Sequence, residues 1–417
     1  MPATSAPGRP RLADGLALAT FVALGLPDGM LGTAWPSIHA SLGVPVGYLG
    51  LVLLASTAGS VAVTIFVGRL VRRLEVAPLL AGGLGVGAAA ATGFALSPAF
   101  GALAATAVLF GLSAGTVDGG LNTVVGLSGR TRLLNLLHGA YGVGTSIGPL
   151  VVTAAIVTGS WRPAYVVLLA TDATIGGLWL ASRGDIGSPG RPEGPAAPVT
   201  GVETAEMTET SGSGSPGAPR RGAVAAGMVV FFFYTGLEVA AGQWETTFDR
   251  LHLHLSATQA GLATFGYWGA LTAVRIGIAL SPRAPGQRAV VVAGTGTAVA
   301  AVALIWWQPG AAATVVGFVV LGGGLAGIFP ALVALTPARL GARRAGNAIA
   351  WQVGAAAAGG AGLSALVGAA VAASGPGVLG PALSVLAAAL VAAELALERI
   401  APVQAASGGT REARPPA

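Results

Sequence analysis

Asp28 stands between Pro27 and Gly29 in the middle of an apolar run from Gly15 to His39, long enough to cross a bilayer. A carboxylate at that depth costs roughly 2.5–3.5 kcal/mol on insertion scales, so its presence points to function. Proline lacks an N–H and glycine is permissive, so the helix can open locally here. Such a break is tolerated only against protein or a wet cavity. Two readings follow. Either the stretch borders a solute or ion pathway, or Asp28 caps the backbone groups that Pro27 frees.

Other polar residues recur at helical spacing inside apolar runs. Asp118 and Asn122 are four apart and share a face. Burial disfavours the charged form of a carboxyl, which suits a group that must pick up a proton. The alternative for this pair is a hydrogen bond that only packs helices. His138 and Tyr141, three apart, also share a face. His138 could relay a proton, bond a solute hydroxyl, or hold a loop. Glu238 and Glu245 are seven apart, with Gln243 and Trp244 between them. Glu238 is the deeper, and Glu245 is placed to hydrate or to pair with Arg250. Asn347, Trp351 and Gln352 lie together on a later run, and their amides offer both donors and acceptors to a polyhydroxylated solute. Trp35, Trp244, Trp268 and Trp351 could present flat faces to its C–H side, or could simply pack. Arg275 is expected to snorkel or to meet a helix terminus. Asp172 and Glu394 lie inside apolar runs with no partner legible from spacing.

The elements that must hold these residues are membrane helices. Hydrophobic residues make up 53% and charged residues 9% of the chain, against ~25% charged in a soluble domain. The 66 glycines suit helices packed through small residues. There is no Cys, hence no disulfide or thiol chemistry, and every basic residue is Arg. Without Lys no phosphate-cradling loop of the P-loop type can form. No metal-ligand cluster or nucleophile–base set is spaced convincingly, so no enzyme and no cofactor is expected. The net charge of +6 sits in short loops, where it sets topology and does not imply nucleic-acid binding. The Arg-only, Ala- and Gly-rich composition points to a high-GC bacterial source.

Twelve apolar spans are expected, at about 15–39, 46–69, 78–97, 100–125, 133–158, 162–182, 222–247, 257–280, 287–307, 310–336, 344–373 and 377–399. The Arg residues gather in the loops on the side of the termini, which places both termini in the cytoplasm. Trp161, Trp179, Trp306 and Trp307 near span ends suggest an interfacial belt. The first run is expected to be retained, not cleaved as a signal peptide. Residues 183–221, rich in Gly, Pro, Ser, Thr and Glu, read as a flexible cytoplasmic linker, and 401–417 as a disordered tail. The linker divides the chain into six-helix bundles at 1–182 and 222–400. A faint repeat supports this, with Arg132-Leu-Leu-Asn135 opening the fifth span and Arg344-Ala-Gly-Asn347 the eleventh.

Four stretches carry a resemblance: GLPDGMLGTAWPSI from Gly25, NLLHGAYGVGTSIGP from Asn135, GLEVAAGQW from Gly236 and GIFPALVALTPARLG from Gly327. They resemble the fucose permease-like branch of the major facilitator superfamily, the fucose–galactose–glucose:proton symporters. The resemblance implies an all-α membrane protein of twelve helices that takes up solute with protons by alternating access. It implies coupling roles for acids of the first and fourth helices, at Asp28 and Asp118, and a central cavity near the Glu238 region. The superfamily's loop after span two is matched by Gly68-Arg-Leu-Val-Arg72-Arg73-Leu74, which keeps the gating basic residues Arg69, Arg72 and Arg73 but lacks the usual Asp and second Gly. Gly144-Thr-Ser-Ile-Gly148-Pro149 resembles the core of a motif of proton antiporters, though close backbone packing explains its glycines equally.

The expected protein is therefore a monomeric, multi-pass carrier of the bacterial inner membrane. It would move a small polar solute, a sugar by preference, with protons. Asp28, Asp118 and His138 would couple; Asn122, Tyr141, Glu238, Gln243, Trp244, Trp268, Asn347, Trp351 and Gln352 would bind. The alternatives are a proton-driven exporter of amphipathic compounds on the same fold, and a membrane sensor without flux.

Overall fold

The computed structural model describes residues 9–186, 221–281 and 285–403. The described residues are helical apart from short turns. The helices are α1 (Arg9–Leu42), α2 (Leu49–Arg73), α3 (Val76–Leu96), α4 (Phe100–Leu127), α5 (Thr131–Val157), α6 (Arg162–Ala181), the single turn α7 (Arg183–Ile186), α8 (Arg221–Leu251), α9 (Ala257–Leu280), α10 (Gln287–Trp307), α11 (Ala311–Leu325), α12 (Ile328–Leu340), α13 (Ala342–Ser374) and α14 (Leu379–Ile400). The twelve expected spans fall on these helices, with α11 and α12 forming one span. Eleven stretches are long and apolar enough to cross a membrane. The remaining one, α9, carries Gln259, Thr264, Thr272 and Arg275 within its 24 residues, which lowers its hydropathy. Most of the expected linker, 187–220, and of the expected tail, 404–417, lies outside the described residues.

Two sets of helices pack, α1–α6 and α8–α14. They meet along α5 with α9, α1 with α8, and α2 with α13. At the α2–α13 seam, Gly47, in the turn before α2, backs onto Gly368, and Gly50 onto Ala365, at the end of the bundle away from the termini. Toward the termini, Ile65 and Phe66 of α2 and Trp351 of α13 are exposed instead.

Small residues set the tightest crossings. A Cβ at Gly25 or Gly29 of α1 would collide with the backbone of α5 at Tyr141 and Thr145. In return, one at Gly144 of α5 would collide with the carbonyl of Val22. Gly144-x-x-x-Gly148 is thus a helix-packing surface, one of the two explanations open for it. On the other side of α1, Gly32 leaves room only for the backbone of Gln243 in α8. Clamped on both faces, α1 is one continuous helix through Pro27 and Pro36, and the local opening expected at Pro27 is absent.

Two helix ends are closed by side chains. Ser256 and Gln259 form a reciprocal capping box at the start of α9. Arg162 donates to the carbonyls of Ala95 at 2.6 Å and Ser97 at 2.8 Å, finishing α3. Trp161 and Trp179 are buried, with their indole N–H groups on Ser41 and Thr20. Of the expected aromatic belt only Trp306 and Trp307 are exposed.

Candidate functional site

A cavity of about 310 Å³ lies within α1–α6, at the lower end of the size that holds small ligands. Its wall is supplied by Phe21, Leu24, Pro27 and Asp28 of α1, Ser56 and Ser60 of α2, and Leu84 of α3. The rest comes from Phe110, Ser113, Val117 and Asp118 of α4, His138 and Tyr141 of α5, and Asp172 of α6. The glycine crossings place these groups. Gly111 and Gly115 let α4 approach the backbone of α2 at Ser56 and Ser60. Gly25 and Gly29 bring Tyr141 of α5 against α1.

The Tyr141 hydroxyl donates to the Asp28 carboxylate, from one helix to the other. Asp28 therefore spends its carboxylate on a side chain and not on backbone groups freed by Pro27. Its exposure is to the cavity that it lines. Just past the proline, Gln243 Nε2 donates to the Asp28 carbonyl at 2.8 Å, and the Thr33 hydroxyl to the Gly29 carbonyl at 3.1 Å. Asn122 Nδ2 donates to Asp118 Oδ1 at 2.9 Å, the pairing its spacing predicts. Asp118 and His138 lie close enough to interact electrostatically, and Phe21 meets the His138 ring edge-on with centroids 5.9 Å apart. Four expected residues, Asp28, Asp118, His138 and Tyr141, thus share one cavity, with Asn122 behind Asp118.

The residues expected from the second set of helices do not join them. The resemblance implies a central cavity near Glu238, but the wall of this cavity comes from α1–α6 alone. Gln243 is buried and ties α8 to α1. Trp244 is fully buried, its N–H on Ser364, so it packs α8 against α13. Trp268 is buried edge-on against Tyr267. Gln352 is buried and accepts from Thr336 at 3.0 Å. Asn347 is exposed, as is Trp351 at 64%, and neither lines a described cavity. Arg69, Arg72 and Arg73 are exposed at the end of α2; among the described residues none forms an ion pair, and Arg69 lies over the Phe66 ring.

Glu238 is held in a network of its own. Tyr234 donates to its carboxylate, Arg275 Nη2 lies 3.8 Å from it, and Tyr267 donates to its carbonyl at 2.8 Å. Arg275 Nε also reaches the Ala326 carbonyl at 3.1 Å, at the break between α11 and α12, where Tyr234 meets the Leu325 carbonyl. Arg275 is therefore a helix-end partner, one of its two expected roles. Glu245 does not pair with Arg250, whose guanidinium instead donates to the Leu255 carbonyl. Glu245 is fully buried beside a second buried acid, Asp249, one turn along α8, and neither carboxylate has a hydrogen-bond partner among the described residues.

Spacing alone missed the roles of Asp172 and Glu394. Asp172 belongs to the α1–α6 cavity, packed over Gly87 of α3 near Ser113. Ser56, Ser60 and Ser113 were missed too, since a serine in an apolar run carries no directional signal. Glu394 accepts from Thr295 at 2.8 Å. It borders a second cavity, of about 440 Å³, between α10, α12 and α14, where Glu398 pairs with both Arg339 and Arg288, so that two carboxylates face two guanidiniums.

The family model of the Major Facilitator Superfamily matches residues 16–365. No curated protein sequence matches the chain. Among solved structures, the chain is similar to the human organic anion transporter MFSD10 (TETRAN), at 15% identity and a TM-score of 0.66 over 94% of this chain and 100% of that one. It is also similar to a variant of the nucleoside transporter NupG, at 16% identity and a TM-score of 0.68 over 93% and 99% of the two chains. At such identities the likeness is one of fold. Spanning helices, the cavity they enclose and the family match agree on a membrane-embedded transporter and not an enzyme: the chain belongs to the Major Facilitator Superfamily.

Proposed function

We propose that the protein is a proton-coupled secondary carrier that moves a small polar solute through the α1–α6 cavity by alternating access. The observation that carries the proposal is the convergence of Asp28, Tyr141, Asp118 and His138 on one cavity wall. Intramembrane acids are costly to keep, and here two of them have a titratable or hydroxylic neighbour through which a proton can pass. Asp28 and Asp118 would load and release the proton, with Tyr141 and His138 as relays. Bundles of residues 1–182 and 222–400 would rock on the α5–α9 and α1–α8 contacts. We place the termini in the cytoplasm of a bacterial cell, from the Arg-rich loops on that side. The exposed ends of α2 and α13 would then face inward, with the far ends closed.

The preference for sugar stood on amides of the second helix set and on indoles, among them Trp35 of α1, whose N–H is taken by the Val46 carbonyl. None of them lines the cavity, so sugar uptake keeps as support only the resemblance to fucose permease-like symporters. A second reading, proton-driven export of amphipathic compounds, is favoured by Phe21, Leu24, Leu84, Phe110 and Val117 in the same wall.

The test is a panel of sugars, nucleosides, amines, organic anions and drugs, scored by melting temperature of the purified protein. Flux of the stabilising compounds into proteoliposomes under an imposed pH gradient follows. Uphill movement with the proton supports uptake, and movement against it supports export. No gradient-driven flux of any stabilising compound would remove both readings.

A further inference from the structure

Three acids face the α1–α6 cavity: Asp28 from α1, Asp118 from α4 and Asp172 from α6. Their circumstances differ. Asp28 accepts from Tyr141. Asp118 accepts from Asn122 and lies near His138. Asp172 makes no hydrogen bond and no ion pair among the described residues, although its exposure is only 5%. A Cβ on Gly87 would stand 2.6 Å from Asp172 Oδ2 and 2.8 Å from Ser113 Oγ, so α3 gives up a side chain where that carboxylate rests. Its oxygens open onto the cavity with no protein partner among the described residues, so a positive charge entering there would meet it.

No Arg lines the cavity, and the chain has no Lys, so among the lining residues only His138 can carry positive charge. The guanidinium of Arg275, which is near His138, is engaged by Glu238 and the Ala326 carbonyl. The rest of the wall is Tyr141, whose hydroxyl is spent on Asp28, three serine hydroxyls, apolar side chains and the rings of Phe21 and Phe110. Hydroxyls accept ammonium N–H groups, and aromatic faces attract cations. An anion would meet uncompensated carboxylates. A neutral sugar would leave Asp172 without a counter-charge.

We infer that the solute is a small organic cation, an ammonium compound whose charge is met by Asp172 and whose carbon skeleton lies among Phe21, Leu24, Leu84, Phe110 and Val117. The inference rests on the proposed role of the α1–α6 cavity as the solute site and narrows its substrate class. Asp28 and Asp118 then remain free to handle the proton, and Asp172 is the residue that selects.

The experiment uses the full chain in lipid nanodiscs at constant ionic strength. Melting temperature and equilibrium binding are measured with a graded set of organic ammonium ions, each matched to an uncharged isostere, for example choline against 3,3-dimethyl-1-butanol. L-fucose, uridine, benzoate and sodium chloride complete the set. At least one ammonium ion should stabilise the wild type while its isostere does not. Asp172→Asn should weaken that binding at least about tenfold, and Asp172→Glu should retain most of it. The unliganded melting temperature and elution volume of each variant separate lost binding from lost folding. Isosteres, fucose, uridine, benzoate or sodium stabilising as well as the ammonium ions would overturn the inference, as would Asp172→Asn binding as tightly as the wild type. Flux separates the two levels. A bound ammonium ion that is never transported would defeat the carrier proposal and leave the cation site. Gradient-driven fucose or uridine flux without ammonium binding would do the reverse.

Discussion

The Tyr141 hydroxyl bonds the Asp28 carboxylate across the α1–α5 crossing, at the wall of the cavity that also holds Asp118 and His138. The contact joins the acid of the first helix to the helix that also forms the seam with α9. A proton arriving at Asp28 would remove the acceptor charge that holds Tyr141. On the proposed function, the load on the acid would thereby be linked to the fit of α1 against α5. Tyr141→Phe keeps the ring and deletes the donor. A hydrogen bond to a charged acceptor is worth ~1.5–3 kcal/mol, so uphill accumulation in proteoliposomes should fall about tenfold or more. Exchange of solute without a gradient should change less. Equal losses in both assays would show that Tyr141 only holds the site together.

The helix crossings that build the site admit no side chain. Gly144→Val would drive a Cβ into the Val22 carbonyl, whereas a Cβ at Gly15 of α1 meets nothing within 4 Å. Overpacking of this kind costs ~1–3 kcal/mol or more. The melting temperature of Gly144→Val should fall by several degrees, and that of Gly15→Val should hardly move. A similar melting temperature for the two variants would mean that α1 and α5 do not cross this closely.

Much of the fold was legible because its signals are local. Apolar runs of helical length gave the twelve spans. Asp118 with Asn122 could be paired on paper because both ride one helix four residues apart. What could not be read is what depends on which helices meet. Gln243 and Trp244 look like ligands in sequence, but the first bonds the α1 backbone and the second Ser364. Asp172 had no partner on its own helix because its neighbours are Gly87 and Ser113, on α3 and α4. Pro27 suggests a broken helix in isolation, yet α1 stays whole between α5 and α8.

The Glu238–Arg275 pair ties α8 and α9 to the break between α11 and α12. Both side chains are less than a third exposed. Removing one member of a buried pair costs up to ~3–5 kcal/mol, because the other charge is left behind. Arg275→Met should therefore lower the melting temperature markedly, and adding Glu238→Gln to it should recover part of the loss. An additive double variant would show that the two side chains do not depend on each other.

The central claim is that the acids of the α1–α6 cavity carry the proton. Its most direct test compares wild type, Asp28→Asn and Asp118→Asn in proteoliposomes, with a solute that stabilises the purified protein. Gradient-driven accumulation and gradient-free counterflow are measured side by side. The account predicts that each substitution abolishes accumulation while leaving measurable counterflow. Uphill accumulation at the wild-type level in both variants would contradict it.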